Sequence, residues 1–236
     1  MSLEFYNEDP GAVFFGNFIN YYQFNTPEQR ISLFPEHLWT NWQSSDGKLI
    51  VLDIGCNAGN LTEVIYKFLV DHTKRDVQIL GVDIDPTLVE RALEKNTFPD
   101  NVNYQCLDFM EDSSVNEIRT FLTRHNREEF DVIMCLSITM WIHLNHGDDG
   151  LKDFLKRVSN SHLLILEPQP WKCYRTAVKR MKKAKKDFPH YSNLKIQTRV
   201  DEFISDYVEK ECGMERIYES GETKWGRKLC FFRQKR

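Results

Sequence analysis

The chain has 236 residues and no apolar run approaching the roughly 18 that a membrane-crossing helix needs. Its start, MSLEFYNEDPGAVFFGNF, has no basic stretch followed by an apolar one, so it does not read as a secretory signal. Its six cysteines, Cys56, Cys106, Cys135, Cys173, Cys212 and Cys230, form no C-x-x-C pair and no zinc-like spacing. That disfavours a zinc module and leaves reduced structural thiols in a cytoplasmic or nuclear protein. There is no internal repeat and no low-complexity tract. Acidic and basic side chains nearly balance, 35 against 31, for a formal charge of −4. Hydrophobic residues make up 41% and charged residues 28%, which fits a folded domain rather than a disordered chain.

What is present is alternation. LIVLDI (49–54), VQILGVDI (77–84), NVNYQCLDF (101–109), FDVIMCLSI (130–138) and HLLILEP (162–168) read as strands. Helical patterns lie between them at 61–70, 86–96, 113–125 and 150–160. A further helix at 200–211 and the strand-like segments MERIYES and KLCFFR follow. Thr26 reads as the N-cap of a short helix opened by Pro27, and Asp85 as the N-cap of one opened by Pro86. Strands alternating with helices point to an α/β fold with a parallel sheet covered on both faces. The two late strands, with no helix between them, point to an antiparallel edge hairpin. The reading is a single domain over 1–236, with an aromatic N-terminal cap segment (1–45) before an α/β core (46–236).

VLDIGCNAGNLT follows the first strand. Gly55 and Gly59 permit a tight turn and close approach to a ligand, at the strand ends where open α/β sheets bind. From Gly55 the sequence reads G-C-N-A-G-N rather than G-x-G-x-x-G, which disfavours a dinucleotide pyrophosphate. Asp83 ends the second strand, 28 residues after Gly55, and can accept both hydroxyls of a ribose. Asp108 and Phe109 end the third, where an acid and an aromatic ring can meet an adenine. This ordered set resembles the class I S-adenosylmethionine-dependent methyltransferases. The resemblance implies a Rossmann-like fold with a central, mostly parallel seven-stranded sheet. It also implies S-adenosylmethionine as methyl donor and S-adenosylhomocysteine as product.

Three longer strings narrow the resemblance: FGNFINYYQF near the start, SITMWIHLNHGDDGL (137–151) and LEPQPWKCYR (166–175). Together they resemble the bicoid-interacting, methylphosphate-capping family of RNA methyltransferases over about residues 13–233, most closely its compact branch directed at 5′-monophosphates. Phe15 and Phe18 stand where the larger capping enzymes tend to have Tyr. The resemblance implies methyl transfer to an oxygen of the 5′-terminal phosphate of a small structured RNA, such as a tRNA or precursor microRNA. The family chemistry calls for no metal, and nothing in the sequence demands a membrane or more than a monomer. Arg30 would hold the methionine carboxylate, and Gly55, Cys56 and Asn57 would wrap the methionine end. Asp83 would bind the ribose with Ile84 against the adenine, Asp108 and Phe109 would recognise the adenine, and Leu136 would offer its backbone near the methionine. Asn17, Tyr21, Lys172, Tyr174 and Arg175 are the expected catalytic residues facing the phosphate.

The chemistry suits these residue types. A 5′-monophosphate has a second pKa of about 6 and is largely a dianion at neutral pH, so it needs capture and alignment rather than a strong base. Tyr and Arg donors can clamp its oxygens, Arg in a bidentate way. Behind them, seven of the twelve residues from Arg175 to Lys186 are basic. They read either as a solvated helix face that wraps several sides or as an electrostatic track for the RNA body. His143, His146, Asp148 and Asp149 invite a metal, but Gly147 interrupts the run and methyl transfer requires none. Packing, helix capping by Asp148 or Asp149, or contact of a histidine with the RNA end is expected instead. Two alternatives stand beside the main reading. One is a methyltransferase with another acceptor, although an N/D-P-P-Y/F motif for amino groups is lacking. The other is a catalytically weak RNA-binding module, against which the intact Arg30, Asp83 and Asp108 argue.

Overall fold

The computed structural model describes residues 12–16, 26–40, 42, 46–223 and 225–235. Helices are α1 (Ala12–Phe15), α2 (Pro27–Ile31), α3 (Asn60–Thr73), α4 (Pro86–Lys95), α5 (Ser114–Arg124), α6 (Thr139–Val158), α7 (Trp171–Lys183) and α8 (Val200–Glu211). Strands are β1 (Lys48–Ile54), β2 (Asp76–Asp83), β3 (Val102–Cys106), β4 (Phe130–Leu136), β5 (Ser161–Glu167), β6 (Met214–Glu219) and β7 (Cys230–Gln234). The seven strands are ordered β3-β2-β1-β4-β5-β7-β6. The backbone groups into two units, residues 19–134 and residues 1–18 with 135–236, and each is described by itself.

In the 19–134 unit, β1, β2 and β3 run parallel, with Val51 opposite Ile79 and Ile79 opposite Val102. Parallel neighbours need a crossover, and α3 and α4 supply it. Leu49, Ile50, Val51 and Leu52 are buried, as a strand covered on both faces requires. The expected caps form. The Thr26 hydroxyl accepts from the Gln29 amide at 3.4 Å, and Asp85 Oδ1 accepts from the Thr87 and Leu88 amides at 2.8 and 3.4 Å. Part of the aromatic segment belongs to this core. Phe34 and Trp39 are buried, and the Phe68 ring of α3 lies 5.8 and 6.2 Å from them.

In the other unit, β7 pairs antiparallel with both β5 and β6, which is the expected edge hairpin. Two boundaries differ from the sequence reading. The helix expected at 150–160 begins at Thr139, and Gly147 bends it with φ 71° and ψ −173°. Gly147, which lay before the expected helix, is a kink between two helical arms. In the 19–134 unit, β3 stops at Cys106 rather than Phe109. Asp108 Oδ1 accepts from the Met110 amide at 2.9 Å, a side-chain turn that competes with the strand ladder.

Candidate active site

The turn after β1 is stitched to the end of β2. The Gly55 and Cys56 amides donate to the Val82 carbonyl at 2.8 and 3.0 Å. Gly55, Asn57 and Gly59 all have positive φ, at 80°, 52° and 78°. Gly59 has no alternative: a Cβ there would stand 2.5 Å from Tyr104 Oη, which donates to its carbonyl at 3.2 Å. This turn presents the Asn57 amide to Asp83 Oδ2 at 2.8 Å, while Asp83 Oδ1 accepts from the Asp85 amide at 3.0 Å. Each oxygen thus has one fixed partner and one lone pair to spare. Burial pushes the Asp83 carboxyl up to about 6, although both amides favour the charged form.

A second buried carboxylate, Asp53 on β1, accepts the Thr62 hydroxyl at 2.6 Å. Burial raises it to about 6 against the pull of Thr62 and of the Arg30 charge. Arg30 is itself buried, near enough for its charge to act on Asp53 at the end of β1. Ile84 and Asp108 are half-buried and Phe109 is buried, just past the ends of β2 and β3. This donor set fits S-adenosylmethionine. Arg30 and Asp53 suit a carboxylate and an ammonium, and Asp83 suits a diol. Asp108 and Phe109 suit an aromatic base with donor edges. Of the expected cofactor residues, Arg30, Gly55, Cys56, Asn57, Asp83, Ile84, Asp108 and Phe109 belong to this unit.

Leu136, the remaining one, ends β4 in the other unit. Ser137 follows it with φ 66°, a left-handed backbone held from three directions. Its amide donates to the Glu167 carbonyl at 3.2 Å, its hydroxyl to Glu167 Oε2 at 2.8 Å, and Gln169 Nε2 donates to its carbonyl. Gln169 Oε1 accepts from the Thr139 hydroxyl and the Met140 amide at 2.9 and 3.1 Å. Arg227, from the β6–β7 connection, donates to Ser137 Oγ at 2.9 Å and to Cys173 Sγ at 3.6 Å, with its guanidinium 4.9 Å from the Trp225 ring. The E-P-Q-P-W string is therefore an internal brace: Glu167 and Gln169 are buried and tie the end of β5 to the start of α6.

Tyr174 is fully buried, and its hydroxyl lies 3.1 Å from His143 Nδ1. His143 Nε2 lies 2.8 Å from Asp148 Oδ1. Burial pushes Asp148 up, but bonds from His143 and from the Lys195 and Ile196 amides outweigh it and hold the carboxyl below its ordinary value. Burial lowers His143, with Asp148 pulling the other way. An ionised carboxylate only accepts, so Nε2 carries the hydrogen, and a neutral ring leaves Nδ1 as an acceptor. The Tyr174 proton then points at His143. Its hydroxyl is committed inward and is not the open phosphate donor that the sequence suggests. Asp148 closes this chain instead of capping a helix; the Gly147 kink brings it back to His143.

Lys172 and Arg175 are exposed at the start of α7. The Lys172 ammonium lies against the β6–β7 connection, 2.9 Å from where a Cβ on Gly226 would stand. Asn17 and Tyr21 lie outside the described residues. Sequence reasoning missed Asp53, Ser137, Glu167, Gln169 and Arg227. An acid ending the apolar run LIVLD and a lone amide between two prolines were the available signals; Arg227 had none. Among the described residues no group of three or more His, Cys, Asp and Glu side chains converges as a metal site, and no helix is long and apolar enough to cross a membrane.

Comparison with known proteins agrees with this geometry. A family model described as Bicoid-interacting protein 3 (Bin3) matches residues 130–234, and one described as a methyltransferase domain matches residues 52–165. A pre-miRNA 5′-monophosphate methyltransferase of Danio rerio is 41% identical, covering 97% of this chain and 95% of its own. An RNA 5′-monophosphate methyltransferase of Homo sapiens is 41% identical, covering 96% and 82%. Among solved structures, the N-methyltransferase NodS of Bradyrhizobium japonicum, bound to S-adenosyl-L-homocysteine, superposes with a TM-score of 0.55. It covers 98% of this chain and 94% of its own at 15% identity, so it supports the fold alone. The buried carboxylates at the strand ends, the seven-stranded sheet and 41% identity to an RNA methyltransferase over nearly the whole chain converge on one conclusion: the chain belongs to the Bin3 family of methyltransferases.

Proposed function

We propose that the protein methylates an oxygen of the 5′-terminal monophosphate of RNA with S-adenosylmethionine. The observation that carries this is the 41% identity over 97% of the chain to a protein named for that reaction. When bound, S-adenosylmethionine supplies an electrophilic methyl group on sulfur. The protein's own part is to bind and align. Asp83 accepts the ribose hydroxyls, Asp108 and Phe109 take the adenine, and Arg30 with Asp53 holds the amino-acid end. Leu136 contributes backbone at the end of β4. Lys172 and Arg175, exposed behind the Glu167–Gln169 brace, capture the phosphate. Tyr174, locked to His143, sets the floor from which they project. The phosphate is largely a dianion at neutral pH, so no residue has to remove a proton. Alignment of such a nucleophile contributes on the order of 7–11 kcal/mol in the best cases.

The same reading takes the acceptor as a small structured RNA and the protein as a monomer. It works in the cytoplasm or nucleus, where its six free thiols, one of them the exposed Cys106, stay reduced. The test offers methyl-labelled S-adenosylmethionine and one short structured RNA bearing a 5′-monophosphate, 5′-triphosphate or 5′-hydroxyl. Label on the monophosphate form, absent from the hydroxyl form, is expected. Equal label on the hydroxyl form moves the acceptor to a base or ribose. No label despite measured cofactor binding overturns this reading and leaves a different acceptor or a non-catalytic RNA binder.

A further inference from the structure

The basic stretch behind the phosphate-reading residues has an order that the sequence hides. Helix α7 buries Tyr174, Ala177, Val178 and Met181, a stripe at i, i+3, i+4 and i+7. At about 100° per residue, Lys172, Arg175, Lys179, Lys182 and Lys183 share an arc of about 100° on the opposite, exposed side. They do not wrap the helix. They form a row about 16 Å long at 1.5 Å per residue, starting where α7 leaves the Glu167–Gln169 brace.

None of these five cations has an ion-pair partner among the described residues. Pairing on other helices is mixed: Lys210 meets Asp206 at 2.7 Å and Lys152 meets Asp149 at 3.6 Å, whereas the exposed Lys95, Arg119, Arg124 and Lys156 have no ion pair among the described residues. What sets α7 apart is five such cations in one row, and their lack of partners has a sequence cause. No Asp or Glu occurs between Glu167 and Asp187, so α7 cannot satisfy its own charge. Like charges at i, i+3 and i, i+4 disfavour the helix, and no ion pair among the described residues offsets the repulsion along this row.

We propose that this row is a phosphate track for the body of the acceptor RNA, running from the 5′-end residues Lys172 and Arg175 along Lys179, Lys182 and Lys183. The proposal rests on the methylation reading above and deepens it. A linear row of exposed cations matches a linear row of phosphates, and phosphate contacts carry no sequence information, so the row selects for RNA length rather than sequence. An anionic membrane surface fits less well. A helix that lies on lipid needs a free apolar face, and the apolar face of α7 is buried.

The test uses the full chain and a K179Q/K182Q/K183Q variant, whose substitutions are exposed and nearly neutral in helix propensity. Binding of a 5′-monophosphorylated RNA hairpin is titrated against salt, and methylation of the hairpin is compared with that of the 5′-monophosphorylated trinucleotide of its own 5′ end. At a slope of about −0.9 per duplex phosphate, three lost contacts make the wild type about 40-fold more salt-sensitive than the variant between about 50 and 200 mM. The preference for hairpin over trinucleotide shrinks in step. An unchanged salt slope and an unchanged preference overturn the proposal, as does an unchanged RNA slope with lost binding to phosphatidylserine vesicles. Failure of the wild type to methylate either acceptor overturns the methylation reading instead.

Discussion

Asp83 is where cofactor binding and pH meet. Its two oxygens each accept one backbone amide, from Asn57 and Asp85, and each keeps a lone pair for a ribose hydroxyl. Asp83→Asn retains one acceptor oxygen and replaces the other by a donor that faces an amide. One ribose bond is lost and the other becomes neutral, where hydrogen bonds to charged groups contribute about 1.5–3 kcal/mol each. The expected loss is about 2–4 kcal/mol of cofactor binding, or about 30- to 700-fold in Kd. The pH dependence follows with its sign. The ionised carboxylate accepts from both ribose hydroxyls, whereas the protonated acid keeps one neutral acceptor and turns its other oxygen into a donor, and burial places its free-state pKa at about 6. Affinity should therefore be full above that value and fall as pH drops through it, by up to about tenfold per pH unit for one proton. Asp53 is also raised to about 6 and adds its own dependence, so the diagnostic is the difference between wild type and variant. Calorimetric titration with S-adenosylhomocysteine across this range measures both. A variant Kd within a few-fold of wild type, or identical pH profiles, refutes the assignment of Asp83 to the ribose.

Three further predictions concern the scaffold. Because His143 is lowered from its ordinary 6.5 by burial, the unfolded chain binds the proton more readily, and stability contributed by the neutral ring is lost as pH falls below about 6.5. His143→Gln, which does not titrate, should flatten that part of the stability–pH curve, read by urea unfolding; an unchanged slope contradicts it. Gly59→Ala combines a left-handed φ of 78° with a contact 2.5 Å from Tyr104 Oη, whereas Gly213→Ala has φ 70° and nothing within 4 Å. Both should lose about 1–2 kcal/mol from the backbone, and Gly59→Ala a further 1–3 or so from overpacking; equal losses would show that Tyr104 gives way. Gln169→Leu strips the Thr139 hydroxyl and the Met140 amide of their acceptor, at about 1–3 kcal/mol for each buried group. It should lower the Tm by several degrees, and an unchanged Tm would remove Gln169 from the brace.

Much of the scaffold is legible from local chemistry. The apolar runs that become β1, β2, β4 and β5 are buried on both faces and so show no alternation, and the caps at Thr26 and Asp85 are set by neighbours two or three residues away. The boundaries that slipped were decided by single groups. Asp108 turns the chain just past β3 by bonding Met110, and Gly147 bends a helix whose first arm, from Thr139, the sequence reading left out. The places of Asp83 and Asp108, at the end of β2 and just past the end of β3, were readable because an apolar run shows where its strand stops. The brace was not. Glu167 and Gln169 act on Ser137 and Thr139, about thirty residues away, and Arg227 reaches Ser137 across 90 residues. Nothing local in P-Q-P-W distinguishes a buried brace from a phosphate clamp. Tyr174 shows the same limit, because its partner His143 lies 31 residues earlier and sets the direction of its proton.

The central claim is that the acceptor atom is an oxygen of the RNA 5′-phosphate. The most direct measurement is the mass of the 5′-terminal nucleotide released by nuclease digestion after reaction of a 5′-monophosphorylated RNA, with and without prior phosphatase treatment of the product. The account predicts a 5′ nucleotide heavier by one or more methyl groups, with the added mass on the phosphate and resistant to phosphatase. Added mass that stays with the nucleoside after the phosphate has been removed would contradict it.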